Sequence, residues 1–531
     1  MREPQRLAQG TYDLAIVGGG IYGACVAREA ARAGLSVALV ERADFGHATS
    51  WNSLRTLHGG IRYLQHLDLI RLRHAVRDRR FWMRLAPDLT CPMPFVLPTR
   101  GWGVHGPGIL AAGCVLFDAL AADRNLGVCE EHRLRRSRVV GRTEAHRLLQ
   151  PMRPASANGA IIWYEAVAAN TERLLLRVLQ EAVACRAVVQ NYCEVIGREQ
   201  RNGLHVLRVV DRLTGAELRL GARVVINAAG PAVDDVGEAL QIPRSHPMMR
   251  PSRAFNLVLR RPAQNDHALG VPVRRATSDP DAHIDRGENT YFVIPWGNYT
   301  LVGTRHLPAA RTPSDPRITR EEMLAFVHEL NEAAAAQIVH AEDIVAVLSG
   351  IVPAAQIDSE SEEGQGEVQL LKRHRIVDHG LQDGVPHVFT VVGVKWTAAP
   401  SVAKEVVSEA MRCLSLRPRV APASAEEIWP EDAPHAPIAA TRVAAGEPIV
   451  ADQPCTAEDV IRAVRSEAAM RLEDVVFRRT TLWLSAYLDV KTLERCARLM
   501  APRLSWDDET IRSNVISTAV RLASIRNAVP T

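Results

Sequence analysis

The sequence predicts an α/β protein in three parts: a parallel inner sheet, an antiparallel sheet inserted between its pieces, and an all-helical C-terminal domain. Three observations lead there. Apolar runs suited to buried parallel strands recur at 12–17 (YDLAIV), 35–40 (LSVALV), 223–227 (RVVIN) and 388–392 (VFTVV). Strand-like segments at 254–259, 290–295 and 299–303 fall between the third and fourth of these runs. Beyond a stretch at 414–455 with seven prolines, residues 456–524 keep helical periodicity and hold few breakers. A chain of 531 residues has room for two or three such units.

The first strand ends at Gly18-Gly19-Gly20. Residues 21–33 then read as an alanine-rich helix, Gly34 stops it, and 35–40 is the second strand. This is a β-α-β unit of about thirty residues. Gly18-x-Gly20-x-x-Gly23 sits where strand passes into helix, the context that gives the pattern meaning. Gly18 permits the tight turn, Gly20 lets the backbone approach a pyrophosphate, and Gly23 lets the helix pack close to the sheet. The helix N-terminus at Ile21 and Tyr22 offers N–H groups and partial positive charge to phosphate. Glu41 closes the second strand, followed by Arg42. A carboxylate there accepts hydrogen bonds from both ribose hydroxyls and repels a 2′-phosphate, which disfavours NADP. The arrangement favours FAD over NAD. A later strand ends in Asn227-Ala228-Ala229-Gly230-Pro231, and another returns before Gly393. Small residues at Ala229 and Gly230 let the backbone lie close to a cofactor, and a Rossmann dehydrogenase lacks the distant return strand.

Other stretches predict further elements. Residues 67–85 form a basic helix carrying Arg71, Arg73, Arg77, Arg79, Arg80 and Arg84, read as a solvated face, with a contact to anionic lipid as the lesser alternative. Residues 108–121 (GILAAGCVLFDALA) are apolar and short. They suit a buried helix, or else a patch lying in a lipid interface. Helices are expected at 167–184, 318–335 and 401–411, and a hairpin at 204–211 and 217–220 around Thr214-Gly215. Composition narrows the function classes. The net charge of +4 gives no argument for nucleic acid. Nine cysteines without a Cys-x-x-Cys pair predict reduced thiols in a cytosolic compartment, and no metal-ligand cluster stands out. Residues 1–10 lack the apolar stretch of a signal peptide, and no run of 18 apolar residues predicts a membrane span.

Ala48-Thr49-Ser50 with Leu57-His58-Gly59-Gly60-Ile61-Arg62-Tyr63-Leu64 resembles the signature of FAD-dependent glycerol-3-phosphate dehydrogenases, within the D-amino-acid-oxidase-like flavoproteins. The likeness continues at 85–87, 94–98, 292–296, 302–304 and 343–345. It extends to Gly393-x-Lys395-x-Thr397 and to 464–480 (VRSEAAMRLEDVVFRRT). The resemblance implies an FAD-binding Rossmann-like domain with an inserted antiparallel-sheet substrate domain and a C-terminal all-helical domain. Its oxidoreductase region is 1–413, with FAD-binding segments at about 11–75, 150–240 and 345–413. A linker at 414–455 and helices at 456–531 follow. It implies hydride transfer from a small secondary alcohol, glycerol 3-phosphate or a related polyol phosphate, to flavin, and onward passage of electrons to a membrane quinone. A peripheral contact with the cytoplasmic membrane and a homodimer also follow from it. Arg62, Tyr63 and Arg373 match substrate-site positions, and Lys395 matches a lysine beside the flavin. Thr49, Ser50, Gly59, Gly393 and Thr397 match cofactor positions. His58 either orients its loop or takes the proton.

The departures fall on the substrate side. Val352 stands where the family pattern has an arginine, and Arg253-Ala254-Phe255-Asn256 lacks the pattern's histidine. Gly303-Thr304-Arg305-His306 replaces Gly-Thr-Thr-Asp, and Ala398-Ala399-Pro400 replaces Thr-Tyr-Arg. Either Arg253, Arg305 and His306 rebuild an anion site, or the substrate is another polyol phosphate, hydroxy acid or amine. An amine or amino-acid oxidase on this fold, and a non-catalytic flavoprotein partner subunit, are the remaining alternatives.

Overall fold

A computed structural model describes residues 2–152, 154, 156–243, 246–260, 265–274, 288–309, 316–357, 368–416 and 447–526. Strand β1 (Thr11–Val17) runs into helix α1 (Ile21–Arg32), and β2 (Val37–Val40) returns parallel to β1. The chain then leaves this sheet through α2 (Leu69–Leu85), β3 (Thr90–Arg100), α3 (Pro107–Leu120) and β4 (Ala157–Ala168). It rejoins through α4 (Thr171–Ala184) and β5 (Val188–Gln190). A hairpin of β6 (Cys193–Arg201) and β7 (Leu204–Asp211) leads into β8 (Glu217–Asn227). The second excursion holds β9 (Arg250–Leu259), β10 (Ala268–Arg274), β11 (Glu288–Trp296), β12 (Tyr299–Pro308), α5 (Arg320–Ala334) and β13 (Ile344–Ile357). The return comprises β14 (Arg375–Asp378), β15 (Val388–Val392) and α6 (Ala399–Cys413). Helices α7 (Ala457–Ser466), α8 (Val490–Leu504) and α9 (Asp508–Arg526) follow.

Two sheets result. The first has the order β14-β15-β8-β1-β2-β5, and β15, β8, β1, β2 and β5 pair in parallel. The second runs β13-β9-β12-β11-β10-β3-β4 and is antiparallel except between β10 and β3. The inner strands therefore lie where the apolar runs place them. Small side chains on α1 (Ala24, Ala27, Ala30, Ala31) let it lie close to the first sheet, α4 and α6 in one core. One face of the second sheet packs on α5 through Phe255, Leu257 and Phe326. The other packs on the C-terminal helices through Val258, Leu348, Phe477 and Trp483. Each such fully buried side chain contributes about 1.5–3 kcal/mol.

Four expectations are corrected. The 217–220 and 223–227 strands are one strand, β8. At Gly221 and Ala222 it pairs with β7 on one side and β1 on the other, so no break is needed. The helix expected at 167–184 begins only at Thr171. Val167 and Ala168 finish β4, whose pairing with β3 overrides local helix propensity. The 108–121 helix is not wholly buried: in α3 Cys114 and Phe117 are buried and Leu110 and Leu120 half-buried, while Val115 is 71% exposed and nearby Trp102 92%. The basic face of α2 is not simply solvated, because Arg79 is fully buried and Arg73 and Arg80 both pair with Asp123.

Candidate functional site

The glycine turn between β1 and α1 has the geometry that a pyrophosphate demands. Gly18 adopts φ +113°, where side chains are strained, and a Cβ there would come within 2.5 Å of the Ala228 carbonyl oxygen at the end of β8. A Cβ at Gly23 would lie 1.9 Å from the Gly18 oxygen, so only glycine brings α1 this close to its strand. Gly20 is the N-cap of α1 and carries no side chain over the helix N-terminus. The buried Glu41 carboxylate accepts from the N–H of Gly19 at 2.7 Å and of Ala43 at 2.9 Å, which holds it beside the turn. Arg42 is exposed beside it.

Segments distant in sequence close the cradle. Ser50 Oγ accepts from the Ile21 N–H at 3.0 Å, and the Thr49 hydroxyl donates to the Ile351 carbonyl at 2.8 Å. Ala229 and Gly230 follow β8 beside the turn, and Asn227 Oδ1 accepts from the Ala229 N–H. The Tyr22 ring packs on Gly393. Its hydroxyl accepts from the N–H groups of Val394 and Lys395 at 3.1 Å and donates to the Lys395 carbonyl at 2.7 Å. Thr397 is buried, and its carbonyl accepts from the Trp82 indole at 2.9 Å. Tyr22 thus works as a joint between α1 and the return segment. The glycine path, the helix N-terminus and the carboxylate at the strand end fit a dinucleotide cofactor of the FAD type.

A cationic group lies at the return segment. Lys395 Nζ donates to Tyr63 OH at 2.9 Å, and the Arg71 guanidinium stacks 3.8 Å from the Tyr63 ring centroid. His58 meets the same ring edge-on at 5.9 Å. Burial pushes the Lys395 ammonium down to about 7, and Arg71 and Arg62 add to the fall. Burial likewise drives the His58 imidazole well below its usual value, aided by Lys395, Arg79, Arg71 and Arg62, so the ring is neutral at pH 7. Its Nε2 is buried and has no hydrogen-bond partner. Burial raises the Tyr63 hydroxyl to about 12, against the pull of Arg71. Under this group Arg79 pairs with Glu165, whose carboxylate also accepts from the Gly59 N–H at 2.6 Å. That buried pair fixes the His58-Gly59-Gly60 loop.

A family model described as FAD dependent oxidoreductase matches residues 13–409. The chain belongs to that family. A second model, the C-terminal domain of alpha-glycerophosphate oxidase, matches residues 425–511. Similar relatives include a glycerol-3-phosphate dehydrogenase of Synechocystis sp., 27% identical over 77% of this chain and 71% of its own length. Another, from Mycobacterium leprae, is 29% identical over 80% of this chain and 67% of its own length. A solved glycerol-3-phosphate dehydrogenase from Bacillus halodurans with FAD has the same fold. It has a TM-score of 0.70 and 19% identity over 99% of this chain and 97% of its own. The protein is therefore an FAD-dependent oxidoreductase with FAD as its cofactor.

In this oxidoreductase the structure brings His58, Arg62, Tyr63 and Lys395 together, and Arg62 also donates to Asn289 at 3.3 Å. Arg373 stands at the rim, 72% exposed, and pairs at 2.7 Å with Asp68, the N-cap of α2. Arg253 and Arg305 do not join. Arg253 pairs with Glu322 at 2.6 Å, and Arg305 pairs with Glu329 at 2.6 Å and donates to Tyr291 OH, all on the α5 side. Strand alternation is the reason: both flank Phe255 on the face that packs on α5. Register places His306 opposite Ala254 on the other face, where Gly350 abuts Thr49. Sequence reasoning missed Arg71 because it was assigned to a solvated helical face. It missed the Arg79–Glu165 pair because nothing local links residues 86 apart.

Proposed function

We propose that this oxidoreductase takes a hydride from the secondary alcohol of a small phosphorylated polyol, glycerol 3-phosphate or a close relative, and passes electrons to a quinone-type acceptor. The observation that carries this reading is the cationic group around Tyr63. Arg62, Arg71 and Lys395 gather there, and burial, with the neighbouring cations adding to it, brings Lys395 down to about 7 and holds His58 well below its usual value. A phosphate dianion answers that excess, and guanidinium groups match its oxygens in bidentate geometry. The names of the relatives point to the same substrate.

FAD, when bound along the glycine turn, supplies the hydride acceptor. Arg62 and Arg71 hold the phosphate, with Arg71 taking the work that Val352 cannot do. Neutral His58 receives the alcohol proton at Nε2, the atom left without a partner. Lys395, on the return segment and held by Tyr63, places positive charge where negative charge develops. Residues 1–413 act as the catalytic region, and the helices from 456 onward pack on it. Among the described residues no helix is long and apolar enough to cross a membrane. Trp102, Ile109, Val115 and Leu116 on and just before α3, and Ile70 at the start of α2, are exposed, and we infer that these apolar side chains serve to meet a lipid interface where a quinone is reached.

The test is anaerobic flavin reduction. Glycerol 3-phosphate is expected to bleach the FAD absorbance, and a soluble quinone to restore it. Arg71→Met is expected to raise the half-saturating concentration about 10–100-fold, the loss of one charged hydrogen bond. No bleaching at high substrate would overturn the substrate reading, and unchanged saturation in the variant would remove Arg71 from it.

A further inference from the structure

The segment that carries Glu41 is held from two sides. On one side it lies over the glycine turn. Glu41 accepts from the Gly19 N–H, the Gly46 N–H donates to the Gly19 carbonyl at 3.1 Å, and the Phe45 ring faces Gly19. On the other side, Asp44 is completely buried and receives two guanidinium groups from the C-terminal region. Its Oδ2 accepts from Arg478 Nε at 2.5 Å and Arg479 Nη1 at 2.7 Å. Its Oδ1 accepts from Arg479 Nη2 at 2.7 Å and from Asn191 Nδ2 at 3.1 Å. Burial alone would raise this carboxyl, and the two arginines overrule it and hold it ionised below the ordinary value.

The arginines are themselves tied into the helical region. Arg478 Nη2 bonds Asp474 at 2.6 Å, and Tyr192 donates to the same Asp474 oxygen at 2.7 Å. Arg479 donates to the Glu467 carbonyl through Nε and Nη2. Two guanidiniums thus meet two carboxylates, Asp44 and Asp474, with all four side chains at most 1% exposed. An ionic lattice this buried is rigid, because removing one partner leaves charge without water. Asp44 stands three residues after Glu41, and His47, three further on, contacts both the Asp44 carbonyl and Glu41.

We propose that the C-terminal helical region is a working part of the cofactor site. Arg478 and Arg479 position the 41–47 segment through Asp44, so that FAD affinity and the docking of the C-terminal helices are thermodynamically linked. Neither arginine touches the cofactor in this account. They are positioning residues that act through Asp44 on Glu41 and the turn. Linkage works in both directions: if the docked helices raise FAD affinity, bound FAD tightens the docked helices by the same factor.

The experiment uses the full chain, stripped of FAD and titrated with it, with flavin fluorescence reporting binding. Arg479→Gln is expected to weaken FAD about tenfold or more, since the competent segment is then populated only in part. Arg479→Lys, which keeps the charge but not the fork, is expected to fall between. Hydrogen exchange on the unaltered protein supplies a readout that needs no variant: FAD is expected to slow exchange across 475–480 as well as at the glycine turn. FAD affinity equal to the parent in both variants would overturn the proposal. So would exchange at 475–480 that is the same with and without FAD, whether or not the variants fold.

Discussion

Replacing Asp78 with Asn is expected to stabilise the protein at neutral pH. Asp78 lies on α2, 3% exposed, and its Oδ1 accepts from the Ser401 N–H at 3.1 Å and the Ser401 hydroxyl at 2.5 Å. Ser401 sits in the first turn of α6, where the backbone N–H groups have no helical partner. The contact therefore ties the helix that carries Arg71 and Arg79 to the helix that begins just after Lys395. Burial pushes the Asp78 carboxyl from 3.8 up to about 7, and the Ser401 bonds only partly offset this. A carboxyl raised in the folded state binds its proton more tightly there than in the unfolded chain. Its contribution to stability is complete below about pH 4 and is lost as pH rises towards 7. At about 1.4 kcal/mol per pH unit, the loss reaches roughly 4 kcal/mol at pH 7 and is flat above. Asn keeps the accepting oxygen and carries no charge, so it escapes that loss. Urea midpoints at pH 5, 6, 7 and 8 are the assay. The gap in favour of Asp78→Asn is expected to widen from pH 5 to 7 and then level off. A variant less stable than the parent at pH 8 would refute the reasoning, because it would show that the α6 N-terminus and Lys404 stabilise the carboxylate more than burial penalises it.

Two further outcomes follow from the same geometry. Gly23→Ala puts a methyl group 1.9 Å from the Gly18 carbonyl, so the purified protein is expected to lose its yellow colour; full FAD occupancy would mean that α1 can retreat from the turn without cost. Val115→Glu places a charge on the exposed apolar face of α3, and it is expected to abolish sedimentation with phosphatidylglycerol vesicles; equal sedimentation of variant and parent would show that α3 is not the lipid-facing surface.

What could be read from the sequence was whatever local chemistry enforces. The β1-α1-β2 unit shows itself because a glycine turn, an apolar strand and a carboxylate must follow in that order, and β15 before Gly393 shows itself by its apolar run alone. Strands β3 and β4 escaped because Pro92, Pro94 and Pro98 break the first one's pattern, and its long pairing with β4 is a tertiary fact. The site was legible in the same uneven way. His58, Arg62, Tyr63 and Lys395 sit in short motifs, and they do converge. Arg253 and Arg305 were chosen for their charge, yet a strand has two faces, and only register tells which one a residue joins. Both joined α5, where Glu322 and Glu329 neutralise them. Arg79 and Arg479 went unseen for the complementary reason. Each answers a partner that lies far away in the chain, up to 435 residues for Arg479 and Asp44, and a charge at such a distance leaves no local trace. The arginines of α2 were read as a solvated face, but the burial of Arg79 is decided by a carboxylate waiting elsewhere. The cofactor half of the site is therefore written in contiguous motifs, while the half that meets the substrate and the clamp behind Glu41 are written in pairs that only the folded chain brings together.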